Sequence, residues 1–181
     1  MAEFEVRAVE AEQVRELRRA LLRPHQPVEE LVYAGDDHPQ ARHLGGFRHA
    51  KMVGIASIMP RLMPCHPERA AWQVRGMAVD HGHRGYGLGG RLLRACLDHA
   101  AAHGGRLAWC NARAGSFGFY ERYGFRRDGE PFELPDIGPH YRMFTLTVPG
   151  DAGGERVRGN EGGPGGVGPG APMQEPTCPS P

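Results

Sequence analysis

The sequence predicts an α/β domain built on a mixed, mostly antiparallel sheet flanked by helices. Three observations predict it. Segments that read as strands outnumber those with helical period, and a run of strands lies between the first helix and the second. Two of these strands meet at a short turn near Ala50, the signal of an antiparallel hairpin. Farther on, a strand, a helix and another strand follow one another across a glycine-rich stretch, which adds a βαβ unit to the antiparallel run.

The elements follow in order. "FEVRAV", Phe4 to Val9, alternates as a strand, and "AEQVRELRRALLR" sets Val14, Leu17, Leu21 and Leu22 on one helical face with arginines opposite. "ARHLGGFRH" and "KMVGIASIM" form the hairpin, closed by Pro60 and Pro64. "AAWQVRGMAVD" is a strand that runs directly into the glycines. After them Leu88, Leu92, Leu93, Cys96, Leu97 and Ala100 keep helical period up to the stop signal Gly104, Gly105. "RLAWCNA" is a strand, "SFGFYERYG" a short helix stopped by Gly124, and "YRMFTLTV" the last strand.

The chain has 181 residues, 40% apolar and 24% charged, enough for one domain with a full core. We place that domain at residues 1–149. Residues 150–181 are dominated by Gly and Pro with almost nothing large to bury, so this tail is expected to be disordered. Basic and acidic residues number 22 and 21, a formal net charge of +1, which argues against nucleic acid and membrane as partners and makes any cationic patch local. Every basic residue except Lys51 is an arginine, which reads as a compositional bias of the chain. Cys65, Cys96, Cys110 and Cys178 form no CxxC pair, so neither a zinc knuckle nor a disulfide framework is indicated. With acidic opening residues, no apolar signal run and no stretch of about 18 apolar residues, a cytoplasmic location is expected.

"GYGLGG", Gly85 to Gly90, satisfies GxGxxG between a strand and a helix. A dinucleotide site would also need an acidic residue about 20 positions on to hold the ribose, and "GGRLAWCNARAGS" supplies none. A Walker-type loop needs a lysine, and Lys51 is far away. Glycines in this position let backbone N–H groups close on a pyrophosphate at the positive end of a helix dipole. With Arg84 included, "RGYGLG" fits Gln/Arg-x-x-Gly-x-Gly/Ala, and "GFYERYGF", Gly118 to Phe125, is a second landmark in the expected order. Together these segments resemble the acetyl-CoA signature and C-terminal landmark of the GNAT N-acetyltransferase superfamily, over roughly residues 4–148.

The resemblance implies a GNAT-type acyl-CoA N-acyltransferase fold with splayed central strands. It implies that Met77, Ala78 and Val79 pair with the pantetheine arm. Arg84, Gly85, Tyr86, Gly87, Leu88, Gly89 and Gly90 would hold the pyrophosphate. Asn111 is either a hydrogen-bonding partner of that arm or a turn-initiating residue satisfied by its own backbone.

Acetyl transfer to an amine needs a neutral nucleophile, donors for the developing oxyanion and a proton for the departing thiolate. Tyr120 matches the superfamily tyrosine that serves the CoA sulfur, with core packing beside Phe119 and Phe125 as the other reading; a backbone N–H of Met77 or Val79 would serve the oxyanion. Some members carry a glutamate four residues before the Met77 position as base, where this chain has Gln73, which cannot titrate. His140 resembles a histidine of a small branch and suits the task by its intrinsic pKa, with a substrate-shaping or structural role as the other reading. His81 with His83, and His99 with His103, bring no third ligand, so no metal is expected. The expectation is an acetyl-CoA-dependent transferase acting on a primary amine, either a small molecule or a protein N-terminus, in a chain that resemblance allows to be a homodimer. A non-catalytic acyl-CoA sensor is the competing class, and a dinucleotide-dependent enzyme a more distant one.

Overall fold

The computed structural model describes residues 3–64, 66, 70–134 and 137–147; the Gly/Pro-rich tail, Cys65 and Cys178 lie outside these residues. Strand β1 (Glu5–Val9) leads through a short 3-10 turn into α1 (Arg15–Leu22). Then come β2 (Arg42–Arg48), β3 (Lys51–Pro60), β4 (Ala71–Val79), α2 (Leu88–Ala102) and β5 (Leu107–Arg113). The chain continues with α3 (Phe117–Glu121), β6 (Arg126–Arg127), β7 (Phe132–Leu134) and β8 (Gly138–Leu146). Among the described residues no helix is long and apolar enough to cross a membrane.

These eight strands form one sheet in the order β1-β2-β3-β4-β5-β8-β6, with β7 also on β8. Every pairing is antiparallel except β4 with β5, which are parallel. The expected mixed, mostly antiparallel sheet is therefore present. His49 and Ala50 turn the β2–β3 hairpin with φ of 47° and 63°, the positive pair of a type I′ turn, here without glycine.

The two long helices lie on opposite faces. Leu88, Leu92, Leu93, Cys96 and Ala100 of α2 are buried against Leu44, Val53, Ala56, Trp72 and Val74. Glycines permit that approach, since a Cβ on Gly46 would stand 2.7 Å from the Leu88 side chain. On the other face α1 sends Arg18, fully buried, to Ser57 and Asp36. Helical periodicity alone places the arginines of α1 opposite its buried face; Arg18 departs from that pattern because a carboxylate 18 residues away receives it under the sheet. The guanidinium donates to both Asp36 carboxylate oxygens, to the Leu31 carbonyl and to Ser57 Oγ, while His43 bridges Ser57 and the Asp36 carbonyl.

Strand β4 is irregular on both of its edges. Ser57 pairs with Arg75 and Ile55 with Ala78, so Gly76 and Met77 together oppose Ala56 in a bulge, with Gly76 at φ +56°. The parallel pairing of β4 with β5 ends at Gln73 and Trp109, beyond which the strands have no Cα partners on each other. A bulge on one side and a lost ladder on the other open the sheet at its centre.

Candidate functional site

At that opening lies a cavity of about 820 Å³. Its walls include Met77 to Val79 of β4, Arg84, Gly85 and Gly87 to Gly90 of the turn into α2, Asn111 of β5, Tyr120 of α3 and His140 of β8. All but one of the site residues expected from the sequence thus line one space. The exception is Tyr86, a residue 64% exposed that lies outside the wall.

The turn has the form an anion cradle needs. Gly85 and Gly87 sit at φ +83° and +85°, and a Cβ on either would meet nothing within 4 Å, so the space before them is open. Gly87 caps α2 without a side-chain hydrogen bond, and the first backbone bond back onto it comes from Arg91 N. The N–H groups of Leu88, Gly89 and Gly90 therefore have no intrahelical partners, at the positive end of a 15-residue helix. Gly90 serves packing instead: a Cβ there would collide with the Tyr123 hydroxyl. Arg84 Nε donates to the Val79 carbonyl at 2.9 Å and ties the turn to the end of β4.

Tyr120 is held in the core beside Phe119 and Phe125, yet its hydroxyl reaches Met77 Sδ at 3.7 Å, at the edge of the opening. Both readings of this tyrosine, packing and donor, are compatible in one side chain. Burial, reinforced by the neighbouring Cys110 and Cys96 thiols, pushes its phenol well above the ordinary value, so it stays a proton donor. Burial likewise raises the Cys110 thiol, which argues against a thiolate nucleophile there.

His140, 4% exposed, donates from Nδ1 to the Gly138 carbonyl at 2.7 Å. A carbonyl can only accept, so in the neutral imidazole the lone pair lies on Nε2. Gln73 is 4% exposed, and its Oε1 has no hydrogen-bond partner. It also lines the cavity, at the last pair before β4 and β5 part. Asn111, exposed, stands opposite Arg142 on β8.

The histidines that suggest a metal have other occupations. His83 pairs with Asp80 at 2.9 Å, and His99 stacks on His103 while bonding the Gln40 carbonyl. Among the described residues no three His, Cys, Asp or Glu side chains converge.

Beyond Arg84, no arginine stands out in the sequence as a site residue, yet several line the cavity: Arg61, Arg75, Arg113 and Arg142 among them. Strand alternation is the available signal. Gln73 with Arg75, and Asn111 with Arg113, lie two apart on their strands and so share a face.

Residues 9–125 match the family model described as the acetyltransferase (GNAT) family. The uncharacterised N-acetyltransferase YitI of Bacillus subtilis (strain 168) is 36% identical over 141 residues, 78% of this chain and 95% of its own. Among solved structures, Escherichia coli ElaA superposes with a TM-score of 0.62 at 20% identity, over 78% of this chain and 99% of its own. An aminoglycoside 6'-N-acetyltransferase complexed with coenzyme A gives a TM-score of 0.63 at 15% identity, over 81% of this chain and 99% of its own.

Proposed function

Because the chain belongs to the GNAT acetyltransferase family and is an acyltransferase, we propose that it transfers the acetyl group of acetyl-CoA to a primary amine of a small molecule by direct attack. The observation that carries this reading is the coincidence, in one cavity, of an open glycine cradle at the α2 N-terminus, a parted β4–β5 pair and a buried tyrosine hydroxyl between them.

Acetyl-CoA would supply an activated thioester. The N–H groups of the Gly85 to Gly90 turn and the Arg84 charge are fitted to its pyrophosphate, and the edge of Met77 to Val79, free of β5, offers backbone groups to an extended arm. Asn111 adds a side-chain amide beside that arm. Backbone N–H groups of the segment Met77 to Val79, which leaves the bulge at Gly76 and Met77, supply donors where negative charge develops on the carbonyl oxygen. The Tyr120 hydroxyl donates a proton at the sulfur side of the gap.

On the amine side Gln73 cannot remove a proton, and His140, through the Nε2 lone pair of its neutral form, is the residue assigned to take it. Gln73 is also what favours a second reading, a sensor that binds acyl-CoA without turnover.

The test is calorimetric titration of the full chain with acetyl-CoA and with NADH, followed by release of free CoA thiol in the presence of amines. Binding of acetyl-CoA alone, with amine-dependent thiol release, supports transfer. Tyr120→Phe should then lower kcat about 100-fold or more with cofactor affinity kept. Binding without thiol release favours the sensor, and saturable binding of NADH alone refutes both.

A further inference from the structure

The wall of the cavity on the α1 face is cationic to a degree that the chain as a whole is not. Arg23, Arg61, Arg75, Arg113 and Arg142 all line it, and among the described residues no Asp or Glu does. The chain's formal net charge is only +1. Of these five arginines only Arg142 has a carboxylate within ion-pair distance among the described residues, Asp128 at 3.7 Å; the Asp36 charge also acts on Arg75, but that carboxylate is bonded to Arg18. Arg75 spends one N–H on the Ala34 carbonyl, and Arg113 one on the Leu22 carbonyl, which leaves most of each fork free.

The guanidiniums also act on one another. Burial and then the Arg61 charge lower the Arg75 pKa, and burial and then the Arg23 charge lower that of Arg113. Five like charges gathered in a half-buried space with a single paired carboxylate among them are unfavourable unless an anion completes them.

The phosphates of CoA do not account for this cluster. The glycine cradle sits at the head of α2, which packs on the sheet face carrying Cys110, Ala112 and Val74. Arg75 and Arg113 alternate with those residues and belong to the opposite face, where Arg75 stacks over Tyr33 at 4.7 Å beside α1. Gln73 shares that face. Its Oε1, buried and unpartnered, is an oxygen that can only accept, and it stands where β4 and β5 separate. One orphan acceptor at the gap and several unpaired guanidinium forks behind it complement a molecule with N–H donors at one end and anionic oxygens at the other.

We propose that the acceptor is an anionic amine of the amino-acid type: its amino group meets Gln73 Oε1 at the opening, and its carboxylate or phosphate oxygens are held by Arg61, Arg75 and Arg113. This rests on the amine-acetylation reading above and narrows it to a class of substrate. Cationic amines are excluded by the same charges that attract the anion.

The experiment compares thiol release with matched amines: L-glutamate, β-alanine and O-phosphoethanolamine against L-alaninamide, ethanolamine and spermidine. At least one anionic amine should exceed its uncharged counterpart by 10-fold or more in kcat/KM, with the carboxylate and phosphate arms telling which oxygens are preferred. That preference should collapse in Arg61→Gln and Arg75→Gln. Arg61 is exposed, so its variant tests the charge without disturbing a core. Equal or faster turnover of spermidine or the uncharged amines overturns the proposal.

Melting temperature is read in parallel with the same amines and with inorganic phosphate, for wild type and both variants. If no amine is turned over, an arginine-dependent stabilisation by the anionic amines sustains the anion site while refuting acetyl transfer. No arginine-dependent response to any anion overturns the site itself.

Discussion

Replacing Asp36 by Asn removes the counter-charge of a guanidinium that is 0% exposed. In the native chain the Asp36 carboxylate receives two N–H groups of Arg18 and the Tyr33 backbone N–H at 2.8 Å, while Arg18 also reaches Leu31 and Ser57. The substituted amide can keep the shape and at most part of the bonding, so Arg18 is left charged and without its partner in the interior. Breaking a buried pair in this way costs about 3–5 kcal/mol, and at about 2–4 °C per kcal/mol the melting temperature should fall by roughly 10 °C.

The pair also works at a distance from itself. Arg18 stacks on the Tyr33 ring at 4.1 Å and stands 3.0 Å from where a Cβ on Gly76 would be, so it props both the cavity wall and the β4 bulge. Urea and thermal unfolding of wild type, Asp36→Asn and the apolar double variant Arg18→Met/Asp36→Leu give the test. The double variant should recover most of the loss, since removing both charges leaves none stranded.

A pH series adds a second check. Burial raises the Asp36 pKa, but the Arg18 and Tyr33 hydrogen bonds outweigh it, so the folded pKa lies below the ordinary carboxylate value. Its contribution is complete above the unfolded pKa, about 3.9, and is lost as pH falls through the lower folded value. Asp36→Asn should accordingly flatten the acid limb of stability. A loss below about 1 kcal/mol, the range of exposed pairs, with an unchanged acid limb would refute the reasoning.

Two glycines of the turn should fail differently. Gly87→Ala puts an L residue at φ +85° with its Cβ in open cradle space, so it should cost about 1–2 kcal/mol of stability and weaken acetyl-CoA binding, read by calorimetry. Gly90→Ala drives a methyl into the Tyr123 hydroxyl, so its main effect should be overpacking of about 1–3 kcal/mol, read by urea unfolding. Cys96 and Cys110 are buried with raised pKa values. In a Cys65→Ser/Cys178→Ser background a thiol reagent should label neither until denaturant is added; rapid native labelling would contradict their burial.

The sequence by itself determined the elements whose signal is local. The strand-like runs of β2 to β5, buried at successive positions, and the helical period from Leu88 to Ala100 are properties of neighbouring residues, as is the positive-φ turn that Gly85 and Gly87 allow. The glycine turn was legible for the same reason, whereas Tyr120 and His140 were singled out only through the family resemblance.

What only the tertiary structure decided needed partners distant in the chain. Strands β6 and β7, of two and three residues, exist because β8 offers them an edge, and β8 itself begins at Gly138, before any strand-forming residue announces it. Arg18 reads as one more solvent-facing arginine until Asp36 folds beneath the sheet to meet it. The cationic wall follows the same logic. Arg61, Arg75, Arg113 and Arg142 vanish into a net charge of +1 when summed along the chain. Side-chain alternation turns them to one face of the sheet, and the β-strand order makes them neighbours. A chain sum cannot contain that, because charge interaction depends on separation in space and not on separation in sequence.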